Sequence, residues 1–577
     1  MPKLDRPPMP VTAVHDAPVP MRDGTILRAD IQRPAEGGPV PALLVRNPYG
    51  EQLGRSVPVV PALEAGFAVV IQHCRGRGSS DGEFAPWADE PADGADTVAW
   101  ITAQPWSNGR VVGWGLSYTA GTALQTAVEG PAGYAGAVAM MTPADFYDDL
   151  TYAGGALALA SAQFWATLQG LLGAQHAAAA GENPGPLLAA VMPAQLDPPS
   201  ARAALPLREA AGLPAAMPHW ADWLDHPSRD DYWRRLPSPR DNYQAMALPA
   251  YHVAGWFDLF LAGTLENYHG LLAATGDPGS QPLVIGPWTH GGISLTGAGE
   301  ADFGPRASAA MLSLEADQLA FLHGLATAGQ PGGSRAPVRL FVMGDNTWRE
   351  EQQWPLARTV YTPWYLLPGG GLGPVVPLAD TPPSEYTADP RDPVPTVGGN
   401  LLIPSWNAGG PHDQRVLDDR TDILRFTSAP LEADLEVTGP LSVVLHAATS
   451  AADTDWTAKL VDVHPDGTAL NVADAIIRAR YRDGVEAPRL PGAGQPQEYT
   501  ISLVATSQVF KAGHAIRVDI ASSNFPRFDR NPGNGTLSAA ATEADLTVQR
   551  QTVFHDAGRP SHIVLPVIPR SLTSAAH

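Results

Sequence analysis

The sequence predicts a mainly parallel sheet with helices on both faces, split by a helical insertion and followed by an all-β unit. Three observations carry this. Short apolar runs alternate with helical patterns up to about Met343, the signature of strand–helix–strand units. Between about Pro143 and Leu248 the alternation gives way to a texture of Ala, Leu, Gly and Trp with no convincing strand. After Trp354 helical patterns nearly vanish, and short β-rich runs recur between turns, as in a jelly-roll sandwich. The division that follows is core 1–144, helical insertion 145–246, core again 247–352, and β-sandwich 353–577.

At 577 residues the chain is too long for one hydrophobic core. With 44% apolar and 17% charged residues it reads as well packed rather than disordered. The net charge of −22 argues against nucleic acid or an anionic membrane as partner. A single cysteine, Cys74, leaves no intrachain disulfide and no cysteine-based zinc cluster. It follows the largely apolar run Phe67–His73 and reads as a buried thiol rather than a nucleophile. The N-terminus has charges with no apolar segment behind them, and no stretch is apolar enough to span a bilayer. A cytoplasmic protein is expected.

In order, Val11–Pro18, Thr25–Gln32 and Pro41–Arg46 read as a strand meander, the last ending in the loop Arg46-Asn-Pro-Tyr-Gly50. Glu51–Ala65 reads as a helix broken at Pro58 and Pro61. Phe67–His73 is a buried strand opening into Arg75-Gly-Arg-Gly78, and Pro91–Ala103 a helix. A strand at Val111–Val112 and a helix at Thr119–Val128 follow, then a strand at Tyr134–Met140. Beyond the insertion, strands are expected at Ala250–Gly255, Pro282–Gly286 and Val338–Met343, with helices at Thr264–Ala274 and Glu315–Ala326. The Ala/Pro-rich part of the insertion, His176–Pro214, is of low complexity.

The segment Arg110-Val-Val-Gly-Trp-Gly-Leu-Ser-Tyr-Thr-Ala-Gly121 is where chemistry is expected. A serine at a strand-to-helix corner is pushed out of the sheet, with the next backbone N–H at a helix N-terminus, suited to an oxyanion. Gly115 gives room for the turn, whereas Thr119 stands where the usual pattern has glycine. A nucleophilic serine needs a base and a carboxylate that orients it, in the chain order Ser, Asp or Glu, His. Asp258 and His290 each close a strand and stand in that order after Ser117. The imidazole must be neutral to act as base, so the rate is expected to fall on acidification. The backbone N–H of Tyr118 and the phenol of Tyr49 are the candidate oxyanion donors. Arg75-Gly-Arg-Gly78, with Asp81 and Glu83 beside it, reads as a salt-bridged structural loop under the site. Asp453-Thr-Asp455 and Asp89–Asp96 lack the ligand spacing of a calcium loop.

The blocks Asn47-Pro-Tyr49, Arg75-Gly-Arg-Gly-Ser-Ser-Asp-Gly-Glu-Phe84, Gly115-Leu-Ser-Tyr118, Gly255-Trp-Phe-Asp258 and Gly286-Pro-Trp-Thr-His290 resemble the signature blocks of the CocE/NonD hydrolases. Val338–Gly344, Asp453–Val463 and Ser522-Ser-Asn-Phe-Pro526 extend the likeness over nearly the whole chain. The resemblance implies an α/β-hydrolase core, a helical cap and a C-terminal jelly roll. It implies a triad of Ser117, Asp258 and His290, an oxyanion hole of Tyr49 and Tyr118, no cofactor, and a small-molecule ester as substrate. It also suggests a homodimer.

Carried over by position, the acyl pocket includes Trp165, Phe260, Leu402 and Ile403. Two departures stand out: Ala120 where glycine is common in the family, and Leu150 near the place of a cap tryptophan in one member. The reading is a serine carboxylesterase acting on esters with a hydrophobic or aromatic acyl group. Two rivals are an α-amino-acid ester or β-lactam acylase or X-Pro dipeptidyl-peptidase, and an inactive hydrolase serving as a binding protein. The first rival needs an anchor for a substrate ammonium, and Leu259-Phe260-Leu261 after Asp258 offers no charge.

Overall fold

The computed structural model describes residues 9–50, 57–333, 336–403 and 409–569. The core sheet is built from β1 (Val11–Pro20), β2 (Ile26–Pro34), β3 (Val40–Asn47), β4 (Ala68–His73), β5 (Ser107–Leu116), β6 (Tyr134–Met140), β7 (Ala250–Phe257), β8 (Leu283–Thr289), β9 (Val338–Val342) and β10 (Thr347–Glu351). Its spatial order is β1-β2-β4-β3-β5-β6-β7-β8-β9-β10. From β4 to β9 every neighbouring pair is parallel, while β1, β2 and β10 add antiparallel edges. The strand leading to Ser117 therefore lies in the middle of the parallel block, and β7 and β8 deliver Asp258 and His290 at the same end.

Successive residues of each strand serve opposite faces. Leu43, Val45, Val112 and Trp114 pack on one side with Leu63 and with Leu314, Leu319 and Leu322 of the helix Leu314–Ala328. On the other, Ala42, Leu44 and Val111 meet Val98 and Ile101 of α1 (Glu90–Thr102). There too Ala137 and Ala139 meet Ala120 and Leu124 of α2 (Tyr118–Gln125). With both faces covered, β7 and β8 are buried along their whole length, which is why they read as continuous apolar runs rather than alternating ones.

The insertion is helical, as expected, with one exception: a small antiparallel hairpin pairs Tyr152–Ala153 with Ala156–Leu157. Two-residue strands carry too little periodicity to register in sequence. The Ala/Pro-rich stretch resolves into helices Gly185–Leu196 and Pro198–Ala203 with a short 3₁₀ turn behind them. The anticipated helix over Glu51–Ala65 reduces to Val59–Glu64, and residues 51–56 lie outside the described residues. The long cap helix α3 (Leu159–Ala179) and Trp220, Trp223 and Trp233 form one cluster with Trp87 and Tyr118 of the core, so the cap is seated directly over the start of α2.

The C-terminal unit is all-β. Leu435–Thr438 and Leu441–Ala447, which read in sequence as two separate β-rich runs, are one strand, Leu435–Thr449, whose register shifts between Pro440 and Ser442. Gly439-Pro440 mimics a strand break in sequence, but the partner Gln497–Phe510 spans it. Asp453 and Asp455 are buried and paired with Arg480 at 2.7 Å and Arg478 at 2.9 Å, a structural use of charge.

Candidate active site

Ser117 occupies a backbone conformation with φ 63° and ψ −127°, outside the regions L-residues favour. Such a residue costs of the order of 1–3 kcal/mol, which the surroundings must hold in place. Gly115 makes the corner feasible: a Cβ there would lie 2.1 Å from the Thr119 carbonyl carbon and 2.2 Å from the Ala120 nitrogen. The Thr119 hydroxyl accepts the Leu116 N–H at 2.9 Å and donates to the Leu116 carbonyl at 2.8 Å, so the departure from glycine adds a brace. The Ala120 methyl is fully buried in the small-residue cluster with Ala123, Ala137 and Ala139. Ser117 N–H donates to Met140, and the Ser117 carbonyl accepts from Ala120 and Gly121, opening α2. Tyr118 N–H is thus one of the first-turn donors that an α-helix leaves unsatisfied.

Below the corner lies a buried polar group of residues. The Tyr118 hydroxyl donates to Glu90 at 2.8 Å and accepts the Trp87 N–H at 3.1 Å. Glu90 pairs with Arg46 at 2.8 Å, and both side chains are almost wholly buried. Burial pushes the Glu90 carboxyl and the Tyr118 phenol upward. Burial, with Glu90 beside it, raises the Cys74 thiol well above its usual range, consistent with an inert structural thiol. Arg75 pairs with Asp93 at 2.6 Å and Asp23 at 2.7 Å rather than with the adjacent Asp81 and Glu83. Arg77 donates to Gln169 of α3 at 3.1 Å and lies 3.9 Å over the Phe84 ring, so this loop fastens the cap to the core.

Asp258 and His290 meet as their chain order suggested. Asp258 Oδ2 lies 2.6 Å from His290 Nδ1, and Oδ1 accepts the Phe260 N–H at 2.8 Å. The carboxylate therefore caps its own loop and orients the imidazole at once, with the aspartate fully buried. Asn400, which the sequence reading did not single out, donates to the Asp258 carbonyl at 2.8 Å from a loop of the all-β unit. Nothing in the short loop Gly398-Gly399-Asn400 marks that contact, because it spans 142 positions of the chain.

Tyr49 is set by an Asn47 side chain that accepts the Tyr49 N–H at 2.9 Å and donates to Gly50 at 2.8 Å. Its hydroxyl accepts from the Trp165 indole at 3.4 Å, and Tyr49 lines the same cavities as Ser117. Burial pushes the phenol up to about 12, so it stays a neutral donor.

Two cavities meet at Ser117, and Tyr49, Trp165 and Leu402 face both. The larger, about 230 Å³, is lined by His290, Leu116 and Phe164. The smaller, about 30 Å³, is lined by Trp87, Tyr118, Leu150, Trp223, Leu259 and Phe260, among others. Trp165, Phe260 and Leu402 each line a cavity at Ser117, while Ile403 lines neither. Trp87 and Leu259, in turns, and Trp223, in the helix His219–Asp225, were missed, since an aromatic or leucine reads as core until the fold turns it toward a site. Among the described residues neither cavity has an acidic side chain in its wall. In the all-β unit, Asp462, His464 and His514 also come together, with His514 Nδ1 at 2.8 Å from Asp462, a grouping the sequence did not flag.

The X-Pro dipeptidyl-peptidase (S15 family) profile matches residues 23–292, and the X-Pro dipeptidyl-peptidase C-terminal non-catalytic domain profile matches residues 333–564. The chain is 38% identical to the cocaine esterase of Rhodococcus sp. (strain MB1 Bresler) over 96% of this chain and 98% of that one. Among solved structures it is similar to an aminopeptidase from a marine sediment archaeon, Thaumarchaeota archaeon, with a TM-score of 0.82 and 25% identity over 99% of both chains. An α-amino acid ester hydrolase gives a TM-score of 0.80 at 25% identity, over 98% of this chain and 99% of that one. The chain therefore belongs to the CocE/NonD family of serine hydrolases, and is an enzyme of the esterase type.

Proposed function

We propose that this protein is a serine carboxylesterase that hydrolyses esters with a hydrophobic or aromatic acyl group through an acyl-enzyme. The observation that carries the reading is the 2.6 Å Asp258–His290 contact beside a strained Ser117 that opens on the same cavity as His290. Ser117 attacks the ester carbonyl while His290 takes its proton through the ring nitrogen that Asp258 leaves free. Asp258 fixes the imidazole tautomer and stabilises its cation. Tyr49 and the Tyr118 N–H donate to the oxyanion. His290 then protonates the departing alcohol, so the alcohol belongs in the cavity that His290 lines and the acyl group in the smaller one that it does not. Water, activated by the same imidazole, releases the acid.

The chain works in this reading as an α/β-hydrolase core (1–144 and 247–352), a helical cap (145–246) and a jelly roll (353–577), active as a cytoplasmic homodimer on a small-molecule ester. The decisive assay compares purified protein with Ser117→Ala on p-nitrophenyl butyrate and phenylacetate. Equal activity of the two proteins overturns the mechanism. The likeness to an α-amino acid ester hydrolase and an aminopeptidase supports a second reading, hydrolysis of substrates with a free α-ammonium. The acid-free walls at Ser117 weigh against it, and a strong preference for such substrates would restore it.

A further inference from the structure

The acyl side of the site is its tighter part, a cavity of about 30 Å³. Immediately beyond it lies a far larger chamber, about 350 Å³, where the cap hairpin, the start of the helix Leu261–Thr275 and the all-β unit meet. The two spaces are separated by three side chains that line both: Leu150, Ser161 and Leu259. Two of these are leucines with rotamers to exchange, and Leu150 sits on the short segment before the hairpin rather than inside a long helix.

Ala153, Trp256, Leu261 and Ala262 form an apolar part of its wall. Most charged side chains in its wall have partners: Asp474 Oδ2 takes hydrogen bonds from Arg527 at 2.6 Å and Asn524 at 2.9 Å, and Asp148 lies 3.8 Å from Arg240. Asp149 accepts the backbone N–H groups of Ala144 and Asp145. A cavity of this size, with more apolar than polar wall, suits a ligand portion that gains by burial.

We propose that the acyl pocket continues past Leu150 and Leu259 into this chamber, which receives the distal part of an extended, medium-chain acyl group. The proposal rests on the esterase reading above and names its substrate class. The chamber, at about 350 Å³, offers more than ten times the space of the acyl side at about 30 Å³. Each methylene moved from water into it can raise kcat/KM by up to about fourfold.

The test is the ratio of kcat/KM for p-nitrophenyl decanoate to that for the butyrate, whose chain is too short to pass the partition. Ala153→Phe and Ala262→Phe fill the chamber from two different elements, and neither residue lines the cavities at Ser117. Either plug is expected to lower the ratio at least fivefold, and Leu150→Ala to raise it. Butyrate hydrolysis reports that each variant is folded, and two plugs guard against one failing to fold. A ratio that changes less than fivefold in the folded plugs overturns the chamber while leaving the esterase intact. A wild type inactive on butyrate and phenylacetate removes the esterase reading itself.

Discussion

Asn400 donates its side-chain amide to the main-chain carbonyl of Asp258 at 2.8 Å, so the residue that orients His290 is held in place from outside the core. Small displacements of a catalytic group are costly, with about 1 Å worth 10²-fold in rate. Asn400→Ala is expected to lower kcat about 10- to 100-fold with KM little changed. Steady-state kinetics on p-nitrophenyl butyrate decides this, and a loss under threefold would show that the core positions Asp258 unaided.

Asp258→Asn separates the two tasks of the carboxylate. An asparagine oxygen still accepts the Phe260 N–H, so the fold should survive with an unchanged circular dichroism spectrum. The Nδ1 partner becomes a donor or loses its charge, the wrong tautomer is favoured, and kcat should fall about 10⁴-fold. A fall below tenfold would remove Asp258 from the mechanism.

Tyr49→Phe deletes one proposed oxyanion donor and should cost about 10²–10³ in kcat with KM largely retained. The phenol donates only while protonated, and its rise from the ordinary 10 to about 12 keeps it protonated as pH climbs past 10. The kcat/KM profile is therefore expected to show no loss with a midpoint near 10. A decline there that disappears in Tyr49→Phe would contradict the burial of this group.

The brace at Thr119 is testable without touching Ser117. Thr119→Val keeps the shape but leaves the Leu116 N–H and carbonyl without the hydroxyl. The loss should be about 1–3 kcal/mol in urea unfolding, accompanied by a lower kcat as the corner relaxes. Gly115→Ala, whose added methyl meets backbone at 2.1 Å, should not yield folded protein at all. Soluble, active Gly115→Ala enzyme would refute the tight corner.

Arg46→Met leaves the Glu90 carboxylate buried with its cation gone. Breaking a buried pair from one side costs about 3–5 kcal/mol. Arg46→Met together with Glu90→Gln should recover much of that loss, as read by a double-mutant cycle in denaturant.

The chain's own pattern determined the architecture and marked the candidate site residues, because both are written in local signals. Parallel strands buried on both faces leave unbroken apolar runs, as in Leu283–Thr289, and the strand-end positions of Ser117, Asp258 and His290 follow from those runs. Short or interrupted elements were misjudged for the same reason. The hairpin at Tyr152–Leu157 is too brief to show a period, and Gly439-Pro440 looks like an end within a continuous strand. Tertiary structure alone decided what surrounds the serine. Arg75 chose Asp93, eighteen positions away, over the neighbouring Asp81 and Glu83. Asn400, Trp87 and Trp223 reached the site from distant segments, and Ile403 missed the pocket beside Leu402. Such contacts depend on how the cap and the all-β unit dock on the core, a long-range packing solution that no window of sequence encodes.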